Sequence, residues 1–574
     1  MSGVAIPAAA PPRLAPIRGV LAAASPYLII VVTAACLWAP SLMIDYGDSL
    51  QDNLVWSTQF SRLVAHGVIY PRWLPASFQG LGSPAFEFYP PLPFWITALV
   101  SQVSGPWASP MLQLKLAALV GLIASGVTMR LWLRTLCAPP KALLCAVIYM
   151  AAPYHLMDHY VRGALAEYFA IAVLPLVALG LGETARGGRF GPPVLALGYG
   201  LTLLSHLPLA LLTSILLVAP YGLYLLWTTP GERRIAFALK AGVALACGVG
   251  MAAIYLAPAL SLQPAISSEF LWNIQAAQHL ALRPGAWTSP FDPIAAAIAV
   301  IEVGFAAVLG WRAWRGGDAR PLFWAVLSVG VFAALSGLLP GLWSIPLMAK
   351  VQFPWRALAI LEFAVVTLAA LSPWPTTRGL AVLLGLLAIA NPGLTTDLRN
   401  LARGQPDAMR VTPAFVDGLL RTSTDSAEYL PHGMLLIEGG HPSARVPLDT
   451  LAALPLAAPS LAATSDPLTG AVHLRAAPGA GPIVLRRFYF PSWQVRCDGA
   501  TVAAAPVGPG RLVGFAAPVG AKSCDAAAAP TAPERVGSWL SLASLALMLS
   551  YLVWAAALGA RRRQGFTAMP QPAA

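Results

Sequence analysis

Three aspartates stand close together early in the chain, in the run Asp45-Tyr-Gly-Asp48-Ser-Leu-Gln-Asp52. If a helix covers 49–64, Asp48 and Asp52 fall four residues apart on one face. Two carboxylates held that close and partly desolvated suit a general base or a cation site. The same residues have a plainer use, because Asp48 followed three positions later by Gln51 is a capping pattern for that helix. A little further on come His66-Gly-Val-Ile-Tyr70-Pro71-Arg72-Trp73 and Gly80-Leu-Gly82-Ser-Pro84-Ala-Phe-Glu87-Phe-Tyr89-Pro90-Pro91-Leu92. Glycine and proline there impose tight turns, and the rings suit either a loop anchored at a membrane interface or an active-site loop.

Other polar residues come in short bursts. Tyr154-His155-Leu-Met-Asp158-His159-Tyr160-Val-Arg162-Gly163-Ala164-Leu-Ala-Glu167 packs two histidines, two acids and an arginine into thirteen residues from His155 to Glu167. An Asp/His/His set can ligate zinc, but no spacing here is diagnostic of a metal site. Arg162 and Glu167 also suit a simple ion pair at a helix start. Ser205-His206-Leu-Pro208 offers one histidine, and Val351-Gln352-Phe353-Pro354-Trp355-Arg356 offers an arginine beside a ring. Such an arginine can hold a phosphate by charge-assisted hydrogen bonds or snorkel at an interface.

The elements that must position these residues follow from composition. The 574 residues are 57% hydrophobic and only 10% charged, with a mean hydropathy of +0.68. Soluble domains carry about a quarter charged residues, so a large soluble enzyme is excluded and a polytopic helical membrane protein is expected. Apolar runs fall near 19–40, 112–133, 141–156, 164–182, 191–205, 207–227, 236–259, 292–312, 321–339, 357–372, 379–393 and 537–558. They predict about twelve spans, the first an uncleaved anchor. The net charge of +12 does not mark a nucleic-acid surface, because the basic residues punctuate the gaps between runs. With the N-terminus inside, Arg130, Arg134 and Lys141, then Arg186 and Arg189, Arg233 and Arg234, Arg312, Arg315 and Arg320, and Arg561–Arg563 fall on one side. That bias places both termini in the cytoplasm. The stretch 91–106 would break it by crossing, so it is expected to lie along the outer surface.

Three regions result: a transmembrane domain over 1–393 with an outer first loop at 41–111, an outer segment over 394–536, and a last span with a basic tail over 537–574. The outer segment is predicted to be β-rich from Ile483–Phe490, Trp493–Cys497, Thr501–Ala504 and Arg511–Ala516, with Asp498-Gly499 as a hairpin turn. Cys497 and Cys524 both lie in it, on the oxidising side, and are either bridged or two free thiols. On this topology at least four separate loops deliver acids, histidines, arginines and rings to the outer face. Such convergence suits an outward-facing cavity for a polar substrate with an anionic lipid tail.

At these residues the chain resembles the GT-C superfamily of integral-membrane glycosyltransferases, and in particular bacterial polytopic proteins catalogued as "6-pyruvoyl-tetrahydropterin synthase-related". The matching pieces are Asp48, Gly67–Trp73, Gly80–Leu92, Tyr160–Glu167, Ser205-His206, Gln352–Arg356, Glu428–Pro431 and Phe488–Trp493, in order along most of the chain. The resemblance implies transfer of a sugar from a polyprenyl-phosphate donor to a glycan, lipid or protein acceptor. It places that transfer on the outer face of the bacterial cytoplasmic membrane, with inversion and without a nucleotide site. It implies Asp48 as the base, Asp45 as its nearby alternative, and Asp52 where the family pattern often has histidine. It further implies substrate contacts from His66, Arg72, Glu87, Tyr89, His155, Asp158, His159, Arg162, Glu167, His206, Gln352 and Arg356. Arg72, Arg162 or Arg356 would stabilise the departing phosphate, and His159 or His206 would donate to it. No cofactor is certain, and relatives divide between using and not using a divalent cation. A rival reading is a transporter or flippase of a lipid-linked sugar, prompted by Glu302 and Glu362 inside expected spans. A third is a non-catalytic scaffold binding envelope polymer.

Overall fold

The computed structural model describes residues 15–43, 49–268, 275–289, 291–339, 341–385, 414, 418–419, 425–438, 441–458, 461–475 and 482–567. Its main helices are α1 (Ala15–Trp38), α2 (Leu50–Ala65), α3 (Leu92–Ser104), α4 (Pro110–Leu133), α5 (Pro139–Met150), α6 (Leu165–Ala185) and α7 (Gly191–Ser205). They continue with α8 (Leu207–Thr228), α9 (Gly231–Met251), α10 (Asp292–Gly316), α11 (Ala319–Ser336), α12 (Pro354–Leu371) and α13 (Ala532–Thr567). Among the described residues nine helices are long and apolar enough to cross a membrane, which makes this a multi-pass membrane protein.

That count differs from the expected twelve for identifiable reasons. α5 has 12 residues and α7 has 15, both short of the roughly 20 that a bilayer needs. The run expected to end at 156 stops at Met150, because Pro153 lacks an amide to continue the ladder. Beyond it lie a short helix, Pro153–Met157, and one π turn, Asp158–Arg162. Broken backbone at membrane depth is tolerated where it lines a protein interior, and this piece carries much of the chain's buried charge. The run expected at 379–393 is described only to residue 385. The stretch expected along the outer surface is a helix, α3, packed on α2, with Leu99 and Val103 exposed.

α6 and α12 sit at the centre, buried on nearly every side. α7 can approach α6 closely because Gly180 has no side chain: a Cβ there would lie 2.4 Å from the backbone of Leu195. These two central helices bring in Glu167 and Arg356.

The expected β-rich region exists. β1 (Leu435–Glu438) and β2 (His441–Ala444) pair antiparallel. The next strands are β3 (Ala462–Ser465), β4 (Val472–Arg475), β5 (Pro482–Phe488), β6 (Trp493–Cys497), β7 (Ala500–Val502), β8 (Ala504–Val507), β9 (Leu512–Ala516) and β10 (Ser523–Ala528). They form a sheet of order β3-β4-β10-β6-β7 and a second of order β5-β9-β8. The β6–β7 hairpin turns at Asp498-Gly499, with φ of 45° and 85°, the double positive φ of a type I′ turn. Residues 394–413 of the expected outer segment lie outside the described residues.

Cys497 and Cys524 face each other across β6 and β10 and are disulfide-bonded. Closing a loop between residues 27 apart should stabilise this domain by about 2–4 kcal/mol. The Cys497→Ser/Cys524→Ser variant should therefore melt earlier, and reductant should lower the wild type but not the variant. An unchanged melting profile in the variant would deny the bond a stabilising role.

Candidate functional site

Arg162, Glu167 and Arg356 are all buried and share contacts. Arg162 sits in the π turn and is ion-paired with Asp158, one turn back, and with Glu167, 2.8 Å away at the head of α6. Arg356, at the mouth of α12, reaches the same Glu167 oxygen at 3.3 Å. Two guanidinium groups thus converge on one carboxylate, and the Tyr154 hydroxyl donates to its other oxygen. The Arg162 guanidinium lies 4.5 Å from the centre of the Trp355 ring, and that of Arg356 lies 5.0 Å from Phe353. Arg356 also donates to the Val351 carbonyl and, at 3.4 Å, to Gln352.

The turn is fixed from below and from the side. Glu362, in α12, accepts from the backbone amides of Tyr154 and His155, and a hydrogen bond joins it to Glu302 of α10. Gly163 ends the π turn in the left-handed region, φ +61°, and a Cβ there would lie 3.3 Å from the Cβ of Leu50. That closeness lets the start of α2 dock: the Ser49 amide donates to the Arg162 carbonyl at 2.8 Å, and Asn53 donates to the Gly163 carbonyl. The first loop is therefore tied directly to the arginine turn.

Asp45 and Asp48 lie outside the described residues, in the segment 44–48 just before Ser49. The helix expected over 49–64 runs Leu50–Ala65, with Ser49 at the cap position and no side-chain cap bond. The capping pattern expected of Asp48 and Gln51 falls outside the described residues with Asp48, and Asp52 rides on the helix. Tyr89 ties Asp52 to the cluster: the charges that act on its buried phenol are those of Arg356, Asp52, Glu167 and Arg162, and burial raises its pKa. His206 caps α8, its ring accepting from the Leu209 amide at 3.3 Å, and feels Glu167, Arg356 and Arg162. Burial lowers His206 to about 3, so it is neutral at physiological pH.

His155 and His159 stay close by but in apolar company. His155 packs edge-on to Tyr149 and Tyr168, and His159 stacks on Tyr168. Burial lowers them to about 3 and about 4, so neither carries charge to a phosphate at neutral pH. Among the described residues no three His, Cys, Asp or Glu side chains group to hold a metal ion.

Three expected contacts are absent from this cluster. His66 is exposed at the end of α2, where its ring hydrogen-bonds the Arg62 carbonyl at 2.8 Å. Arg72 and Glu87 form a second centre, 3.1 Å apart, with Glu534 of α13 3.0 Å from Arg72 on its other side. Sequence reasoning missed Glu534, whose only signal was Thr531 three residues before it; it caps α13 by accepting from the Thr531 amide. It also missed Tyr154 as a partner of Glu167, which no spacing rule foretells.

Burial raises Glu87 to about 8, with Arg72 opposing and Glu534 adding to the rise. An acid whose folded pKa exceeds its ordinary 4.5 holds its proton more tightly when folded. Its contribution to stability is therefore full below about 4.5 and falls as pH rises to about 8, by at most about 1.4 kcal/mol per unit. Thermal unfolding followed across that window should show the decline, and Glu87→Gln should flatten it. A slope unchanged in the variant would assign the decline to another group.

The motifs quoted from the first loop and from the β-rich region meet. Phe488 donates its amide to Leu81, Arg487 donates to Gly80, and the Trp73 and Trp493 rings meet edge to face at 5.4 Å. Tyr429 stacks on Phe88, and Trp56 donates to Asp425 at 2.7 Å. The β-rich domain is thus seated on the first loop.

No family model matches the chain, and no curated protein matches it. Two solved structures resemble it at 18% identity over 67% of this chain: arabinofuranosyltransferase AftD from Mycobacteria and a mutant of that enzyme. Their TM-scores are 0.41 and 0.43, and the match covers 27% and 29% of those chains, so this chain spans under a third of their length.

Proposed function

We propose that this protein is a membrane glycosyltransferase that moves a sugar from a polyprenyl-phosphate donor to an envelope acceptor on the outer face of the cytoplasmic membrane. The observation that carries the reading is the pair Arg162 and Arg356, buried together on Glu167 and tied through Ser49 to the segment that holds Asp48. Arginine suits this place because its charge is permanent and its fork matches phosphate oxygens. In the resting state Glu167 and Asp158 balance the two cations. A donor phosphate would compete for the same N–H groups.

In the proposed reaction Asp48 takes the proton of an acceptor hydroxyl, whose oxygen attacks the anomeric carbon from the face opposite the phosphate. The bond from that carbon to the phosphate oxygen breaks, the configuration inverts, and polyprenyl phosphate leaves as an anion. Arg162 and Arg356 stabilise the charge that develops on it. Neutral His206, beside Glu167, is placed to offer a hydrogen bond rather than a charge.

The test is transfer by the purified protein, followed by mass spectrometry with a panel of undecaprenyl-phosphate sugars and envelope-glycan acceptors. Product formation is expected with at least one donor. Arg356→Gln should raise the donor KM by about tenfold, the loss of one charge-assisted contact, and leave the acceptor KM near wild type. Equal changes in both would make Arg356 a structural residue. Absence of product with every donor would favour the flippase reading, for which Glu302 and Glu362 inside spans are the specific observation.

A further inference from the structure

Glu302 and Glu362 stand inside α10 and α12, and the transfer chemistry above uses neither. The backbone beside them explains what two buried acids do there. The short helix Pro153–Met157 begins without a side-chain cap, because Ala152 at the cap position has no side-chain oxygen. First-turn amides have no partner within a helix, and at membrane depth no water replaces one. The Leu156 amide already reaches the Ala152 carbonyl at 3.0 Å, and Pro153 has no N–H, so the amides of Tyr154 and His155 are left over. Glu362 takes both: one carboxyl oxygen accepts from Tyr154 and the other from His155, at 3.3 Å. Glu302 completes the set through its hydrogen bond to Glu362.

A hydrogen bond between two carboxyl groups requires a proton on one of them. Both oxygens of Glu362 already serve as acceptors, whereas Glu302 Oε2 is buried with no hydrogen-bond partner among the described residues. Neither acid has a cation beside it among the described residues. Glu302 also stands on an apolar wall with Pro153, Ile298 and the exposed Ile294 and Ile301, the kind of surface a span turns to lipid rather than water. We propose that Glu302 is the neutral, proton-holding partner that donates to Glu362, and that this acid pair clamps the broken segment and thereby positions Glu167. Glu362 is then a positioning residue: it holds the backbone of Tyr154, whose hydroxyl donates to Glu167, the acid on which Arg162 and Arg356 converge. The bearing on donor binding rests on the transferase reading; the clamp itself does not. A fixed donor keeps its proton throughout turnover, unlike the proton carrier of a coupled transporter.

Amide hydrogen exchange on the full chain in lipid nanodiscs tests the clamp without donor or transfer. The readout is the peptide covering residues 153–162, compared in wild type, Glu302→Gln, Glu302→Leu and Glu362→Gln. Glu302→Gln puts an N–H donor where the acid had its proton, so exchange at Tyr154 and His155 should stay near wild type. Glu362→Gln turns an amide N–H₂ group onto one of the two backbone N–H groups and should speed exchange there by about tenfold, the loss of one hydrogen bond. Glu302→Leu removes the donor from Glu362 and should speed it by about threefold. Both Gln variants keep the size of the side chain, so they carry the test even where Glu302→Leu fails to fold. In the transfer assay Glu362→Gln should raise the donor KM by about threefold or more and leave the acceptor KM near wild type, while Glu302→Gln should match wild type in both. Faster exchange in Glu302→Gln, or unchanged exchange in Glu362→Gln, would overturn the proposal. So would loss of activity in Glu302→Gln with its exchange intact, which would mark Glu302 as a proton carrier. Exchange as expected but no transfer product would refute the enzyme reading alone. Transfer with the wrong exchange pattern would refute the clamp alone.

Discussion

Asp48→Asn is expected to reduce sugar transfer by about 10²–10⁴-fold, the usual contribution of a positioned general base, while leaving expression and thermal unfolding unchanged. The replacement keeps size and hydrogen bonding but removes the proton acceptor. Asp48 is next in sequence to Ser49, whose amide is bound to the Arg162 carbonyl. Asp52, in the first turn of α2, shares the charge environment of Tyr89 with both arginines. Asp52→Asn should therefore alter the pH dependence of transfer more than its maximum rate. The measurement is initial rate by mass spectrometry, with the Asp45→Asn variant run in parallel. Full activity in a well-folded Asp48→Asn protein would move the base to Asp45 or discard the mechanism.

Arg162→Ala should be the most damaging single change to the fold, costing about 3–5 kcal/mol. Arg162 is 4% exposed and balances two acids, Asp158 and Glu167, which are 0% and 1% exposed. Removing the cation strands both negative charges where water cannot reach them. Arg356 still compensates Glu167, so Asp158 bears most of the loss. Arg162→Lys should recover part of the stability, because the charge returns without the fork and without the planar face that lies over Trp355. Unfolding temperature and detergent-extracted yield would measure the effect. A wild-type melting point for Arg162→Ala would show that the acids are neutral or solvated, and the electrostatic account of the site would fall. Arg162→Ala combined with Asp158→Ala should be milder than Arg162→Ala alone, since the pair is then removed together.

How much of this was legible beforehand differs from residue to residue. The β6–β7 hairpin was plain because Asp498-Gly499 states its own turn geometry: two residues that tolerate positive φ, between alternating strands. The β-rich domain and the apolar spans of α4, α6, α8 and α10 were plain for the same local reason, composition over a window of chain. Arg162, Glu167 and Arg356 could be nominated as candidates, since charge beside apolar runs is costly and conspicuous. Their mutual contacts could not. Arg356 is 189 positions from Glu167, and only the packing of α12 against the broken segment makes them neighbours.

The sequence likewise could not separate Arg72 and Glu87 from Arg162 and Arg356, since all four belong to the same expected outer face. Tertiary structure divided them by placing Glu534 beside Arg72, 462 positions along the chain. It also moved His66 to the surface and buried His155 and His159 among tyrosines, because a histidine's role depends on the neighbours that desolvate or pair it.

What the sequence by itself determined, then, was everything written in short windows: a multi-pass helical chain, a β-rich domain and the residues too costly to bury idly. What only the tertiary structure decided was which of those residues share a site. Hydrophobicity and turn preference act over a few residues, whereas an ion pair or a cleft is set by a distance of about 3 Å between groups that the chain itself leaves far apart.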